Sequence, residues 1–218
     1  MELITLAIDF ILHVDQHLQA MINEYGALVY LILFLIVFCE TGLVVTPFLP
    51  GDSLLFAAGA LTVGTVLDVH TLAALMIVAA VLGNTVNYAV GHFFGERLFT
   101  NPNSRIFRQD YLAKTHEFYE KHGALTVILT RFIPIVRTFA PFVAGMSSMT
   151  HSRFMFLNVT GAVLWVVIFV YAGHYFGNLP AVRENFTLLM FGIIIVSVLP
   201  MVYGVIKARF GRRNQPAG

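Results

Sequence analysis

Polar residues along this chain mostly separate long apolar runs, and only a few lie inside them. Crossing roughly 30 Å of hydrocarbon takes about 20 apolar residues in a helix, and three runs reach that length without interruption: Thr71–Phe94, Phe154–Phe176 and Phe186–Ile206. Two others do not read as simple spans. Ala27–Leu67 is too long for one and is interrupted by Pro47, Pro50 and Gly51, while Ala124–Met149 is long enough but carries Pro134 and Pro141. Non-helical backbone at membrane depth survives only against protein or a water-filled cavity. Both runs are therefore read as re-entrant helical hairpins, with a kinked simple span as the alternative. Ahead of them, Leu3, Leu6, Ala7, Phe10, Ile11, Val14 and Leu18 recur at helical spacing opposite Thr5, Asp9, His13 and Gln16. That pattern predicts an amphipathic helix lying along the membrane surface.

The pattern repeats. Glu24-Tyr25-Gly26-Ala27-Leu28 matches Lys121-His122-Gly123-Ala124-Leu125, and GHFFG at Gly91–Gly95 matches GHYFG at Gly173–Gly177. Each unit reads as a surface helix, a re-entrant hairpin and one span, and a single span between the hairpins makes them enter from opposite faces. The predicted fold is an all-α integral membrane protein built on an inverted repeat, with a further C-terminal span. One membrane domain, 1–218, divides into a first repeat (1–95), a connector with the second surface helix (96–122), the rest of the second repeat (123–177), and the last span with its tail (178–218). Carrying the Gly26/Gly123 register forward sets Glu40 opposite Arg137.

Composition agrees with this fold and charge orients it. Hydrophobic residues make up 58% and charged residues 11% of the 218, too little charge to cover a soluble domain. No Lys or Arg occurs before Arg97, whereas nine of the 13 lie in Glu96–His122 or in the tail from Lys207. The positive-inside rule makes both segments cytoplasmic. The N-terminus, with Glu2 and Asp9 in place of a basic region, predicts no cleaved signal. Its side of the membrane stays open: outside if the first hairpin is re-entrant, inside if Ala27–Leu49 crosses.

Four ionisable residues lie inside the broken runs, where a charge costs roughly 2.5 to 3.5 kcal/mol at a helix centre on insertion scales. Glu40 and Asp52 flank the Pro47 and Pro50-Gly51 breaks, which let both carboxylates reach one cavity and take up or release protons. The alternatives are a structural charge pair and, for Asp52, a helix cap. Arg131 and Arg137 would diverge by about 240° on an unbroken helix; a break at Pro134 lets both face one site. A planar guanidinium suits bidentate binding of phosphate oxygens, so the two are read as a lipid-phosphate site, against structural bridges to Glu40 and Asp52. His92 and His174, at equivalent span ends, are anchors or relay groups. Asn84, with Asn87 and Asn158, either joins helices or lines a path.

Enzyme readings lack their parts. The chain has no Ser-Gly-His or Gly-x-Ser-Gly motif, no paired metal-ligand motif and a single Cys39, so neither a metal nor another cofactor is expected. At ETGLVVTPFLPGDSLLFAAGAL, GNTVNYAVGHFFGE, FYEKHGALTVILTRFIPIVRTFAPFVAGM and NVTGAVLWVVIFVYAGHYFG the chain closely resembles the bacterial DedA family, related to VTT-domain lipid scramblases. The resemblance spans essentially residues 1–210. It implies an inner-membrane protein that returns undecaprenyl phosphate to the cytoplasmic leaflet with dependence on the proton gradient. The family's embedded acidic and arginine positions fall on Glu40, Asp52, Arg131 and Arg137. Many relatives carry Asp where this chain has Asn84, which weakens a relay role there. Expected partners are undecaprenyl phosphate or a related anionic lipid, protons and membrane lipids, without nucleic acid; a homo-oligomer is compatible with the pattern but not required by it. The rival reading is a proton-coupled antiporter of small cations or drugs.

Overall fold

The computed structural model describes residues 14–43, 51–98, 131, 134–146, 149–185, 188–189 and 192, and these form helices without strands. In chain order they are α1 (Val14–Tyr25), a 3-10 turn (Gly26–Leu28), α2 (Val29–Gly42), α3 (Gly51–Leu61), α4 (Val69–Leu98), α5 (Pro134–Met146), α6 (His151–Phe176) and α7 (Pro180–Glu184). Among the described residues three stretches are long and apolar enough to cross a membrane: His17–Gly42, Val69–Phe94 and His151–Phe176. The last two contain the predicted Thr71–Phe94 and Phe154–Phe176. The predicted Phe186–Ile206 span, the 96–122 connector, the basic tail and most of the N-terminal surface helix lie outside the described residues. His17–Gly42 was not expected as one stretch. It contains Gly26, whose φ of +55° is a left-handed conformation open to glycine at little cost, and there α1 gives way to α2.

Burial explains why the helices orient as they do. Along α2 the protected positions are Val29, Leu33, Val37, Glu40 and Thr41, one stripe at helical spacing, while Leu31 and Leu35 stay about half exposed. Along α4, Leu72, Met76, Asn84, Asn87 and Tyr88 face inward, and Val78, Leu82, Val86 and Val90 face out. Polar groups inside and aliphatic groups outside is the order a lipid solvent imposes. At the end of the predicted surface helix Leu18 is buried in the core, as is Ile22 beyond it, and α1 packs on α3.

The shortest apolar helix, α3, is buried from Gly51 to Ala60. It packs on α6, while α4 packs on α2, α5 and α6. Close approach comes from glycine: a Cβ at Gly59 would fall on the Val170 carbonyl and one at Gly173 on that of Phe56, joining α3 to α6. The same reciprocal contact joins α5 to α4, through Gly145 against Tyr88 and Gly91 against Phe142. Glycine at a membrane helix interface lets backbones meet. Outside the spans, Asp68 caps α4, its Oδ1 accepting the Thr71 N–H at 2.7 Å. That bond holds the carboxyl below its usual range.

Candidate functional site

Arg137 sits in the first turn of α5, and its guanidinium forks between two carboxylates. Nη2 donates to Glu40 Oε1 at the end of α2, and Nη1 donates to Asp52 Oδ1 in the first turn of α3 at 2.7 Å. All three are buried. Each carboxylate also has a neutral donor: the Gly51 N–H reaches Glu40 Oε1 at 3.2 Å, and the Trp165 indole Nε1–H reaches Asp52 Oδ1 at 2.7 Å. A Cβ at Gly51 would meet the Glu40 carboxylate, so a larger residue here would displace it. Among the described residues, Glu40 Oε2 is buried with no donor.

Arg131 lies three residues before α5, which Pro134 opens, a position where its fixed φ suits a first turn and its missing N–H costs nothing. Its Nη1 donates to the Asn158 carbonyl at 2.9 Å and Nη2 to Asn158 Oδ1 at 3.2 Å. Among the described residues no carboxylate pairs with it. The Asn84 Nδ2 donates to the same Asn158 Oδ1 at 3.0 Å. Asn158 in turn donates to the Val81 carbonyl at 3.0 Å, so the amides join α4 to α6 as well as holding the cation.

Both guanidiniums stand over the Trp165 ring, Arg137 Cζ at 5.3 Å and Arg131 Cζ at 6.0 Å from its centroid, within cation–π range. Two cavities of about 10 Å³ adjoin the pair, near the lower limit for one water. One is lined by Glu40, Thr41, Asn84, Arg131, Arg137, Thr138 and Trp165; the other shares Asn84, Arg131 and Arg137 and is closed by Ala140, Pro141, Leu157 and Asn158. Asn87 sits behind them, its Nδ2 donating to the Thr41 carbonyl at 3.2 Å and the Thr138 carbonyl at 2.8 Å. These are the residues next after Glu40 and Arg137, so one amide fixes the spacing between the acidic and basic limbs.

Glu40, Asp52, Arg131 and Arg137 thus meet at one place, with Asn84 on the cavity wall. His92 and His174 are elsewhere. His174 Nδ1 shares a hydrogen bond with Thr62 Oγ1 at 2.7 Å, and exposed His92 stacks on Tyr88 with centroids 6.4 Å apart. One alternative falls away. Asp52 lies inside α3, which starts at Gly51, so it is not the cap before Ser53. The glycine contacts set Phe56–Gly59 of α3 against α6 in the same way that they set Phe142–Gly145 of α5 against α4. Trp165 was not singled out for the site; the available signal was the only tryptophan, two helical turns after Asn158 on the same inward face.

A VTT-domain model matches residues 49–175. The chain is 61% identical over 209 residues to the protein DedA of Escherichia coli (strain K12), covering 95% of each. It is 42% identical over 180 residues to an uncharacterized membrane protein of Mycobacterium leprae (strain TN), covering 83% of this chain and 79% of that one. It is also 33% identical over 222 residues to the inner membrane protein YqjA of Escherichia coli (strain K12), covering 98% of this chain and all of YqjA. No solved structure matches. With the VTT model spanning more than half its length and identity running nearly end to end, the chain belongs to the DedA family of VTT-domain membrane proteins.

Proposed function

We propose that this protein is an inner-membrane lipid-phosphate translocase that recycles undecaprenyl phosphate to the cytoplasmic leaflet and depends on the proton gradient. The observation that carries this reading is the Arg137 fork, held by two buried carboxylates beside a second buried guanidinium that, among the described residues, has no carboxylate partner. Two carboxylates and two guanidiniums sum to zero charge. A phosphate entering that set adds negative charge unless a carboxylate takes up a proton, and Glu40 Oε2, which has no donor among the described residues, is the oxygen to take it. Proton uptake and phosphate capture are then two sides of one exchange on Arg137. The reciprocal glycine contacts support the inverted-repeat reading with re-entrant hairpins, and the basic connector and tail support a cytoplasmic C-terminus.

The deciding experiment measures binding of undecaprenyl phosphate and of undecaprenol, its phosphate-free counterpart, to the purified chain. Wild type prefers the phosphate form. Arg131→Gln and Arg137→Gln each lose about tenfold or more of that affinity, the worth of a hydrogen bond to a charged group. Glu40→Gln and Asp52→Asn abolish the response of lipid flip to an imposed pH gradient in liposomes. One observation favours a proton-coupled antiporter of small cations instead: cavities of about 10 Å³ fit an ion and not a phosphate group. Equal wild-type affinity for the two lipids would move the assignment there.

A further inference from the structure

We infer that Trp165 is a positioning residue that keeps Asp52 hydrogen-bonded while Arg137 transfers its fork to a phosphate. The inference rests on the lipid-phosphate reading above. Arg137 is fully engaged, with Nη2 on Glu40 and Nη1 on Asp52. To hold a phosphate with the same fork it must let go of at least one carboxylate. A buried carboxylate stripped of its partner is costly, and such a penalty would keep Arg137 locked to the protein. Glu40 is insured against it by the Gly51 N–H, a backbone donor fixed at the start of α3.

Asp52 receives the corresponding donor from α6. The Trp165 indole N–H reaches the same Oδ1 that Arg137 holds, at the same 2.7 Å. Trp165 is 1% exposed, its ring meets that of Phe169 in a T-shaped pair with centroids 6.5 Å apart, and it belongs to the main core cluster. The indole is therefore held in place whether or not Arg137 is. Its ring face lies under both guanidiniums, so one side chain braces the carboxylate and backs the two cations. Of the ordinary side chains, only tryptophan combines a large aromatic face with a single N–H donor at its edge.

The test is a double-mutant cycle on the full chain, read as the ratio of affinities for undecaprenyl phosphate and undecaprenol. Trp165→Phe keeps an aromatic face and removes the donor, so phosphate affinity falls about tenfold while undecaprenol affinity stays within twofold. In an Asp52→Asn background, with no carboxylate left to brace, the same substitution changes phosphate affinity by less than twofold. Replacing the indole with benzothienylalanine, which keeps the bicyclic shape without the N–H, reproduces the Trp165→Phe result even if phenylalanine loosens the core. An equal loss in both backgrounds, or none in either, overturns the inference while leaving the translocase reading intact. A wild type that does not distinguish the two lipids removes both.

Discussion

α3 and α5 are packed alike and charged oppositely. Each carries Phe-x-x-Gly, and each meets a long span through the same pair of glycine–carbonyl contacts, α3 on α6 and α5 on α4. Each also starts at the site. Yet α3 brings Asp52 in its first turn and α5 brings Arg137 in its own. A carboxylate is favoured at a helix N-terminus and a cation is disfavoured there. Asp52 has the field of its own helix and the indole N–H behind it, whereas Arg137 works against its helix and is held by Glu40 and Asp52. The packing is duplicated and the chemistry is not. Opposite charges meet because the starts of α3 and α5 converge, so two helices packed alike bring unlike groups to one site.

The harshest way to break this comparison is to remove the cation. Arg137→Ala leaves Glu40 and Asp52 buried and facing each other, and loss of one partner of a buried pair costs about 3–5 kcal/mol. Asp52→Asn leaves Arg137 its Glu40 partner and costs clearly less. Reversible unfolding in detergent at neutral pH measures both. A loss for Arg137→Ala no larger than for Asp52→Asn would mean that the acidic limb does not need its counter-ion, and the asymmetry would fail.

The next effect tests the likeness. Gly59→Ala drives a methyl into the Val170 carbonyl and Gly145→Ala drives one into that of Tyr88. Overpacking of this kind costs about 1–3 kcal/mol, and the two losses should agree within a factor of two. Thermal unfolding of the two variants side by side gives the answer. Sensitivity at one position alone would show that the matching contacts are not equivalent in energy.

How much of this was legible in sequence follows from what each signal encodes. The spans in α4 and α6 were readable because uninterrupted apolar length is a one-dimensional property, and Glu40, Asp52, Arg131 and Arg137 stood out because charge in such runs is costly. The matching contacts of α3 and α5 were not legible, because each sets a Phe-x-x-Gly against carbonyls of a span distant in the chain. Trp165 escaped for another reason. An indole in an apolar span looks like core packing, and the hydrogen bond to Asp52 joins residues 113 apart in the chain, which no local pattern reports.

The smallest effect sharpens the comparison at the outer ends of the spans, where GHFFG and GHYFG put His92 and His174 at equivalent positions. Their surroundings differ. His174 shares a 2.7 Å bond with Thr62 Oγ1, whose hydroxyl also donates to the Gly59 carbonyl at 2.6 Å, tying the histidine to the glycine contact beneath it. His92 is exposed and lies flat against Tyr88. Replacing Thr62 by Val removes the hydroxyl with little change of shape and should cost about 0.5–1.5 kcal/mol, the net worth of one such bond. His174→Phe should cost a similar amount, and combining it with Thr62→Val should add little, because both remove the same interaction. His92→Phe keeps a ring on Tyr88 and should leave unfolding unchanged. If His92→Phe proved as damaging as His174→Phe, the shared motif would carry a shared role, and the division between like packing and unlike chemistry would have to be redrawn at both of these span ends.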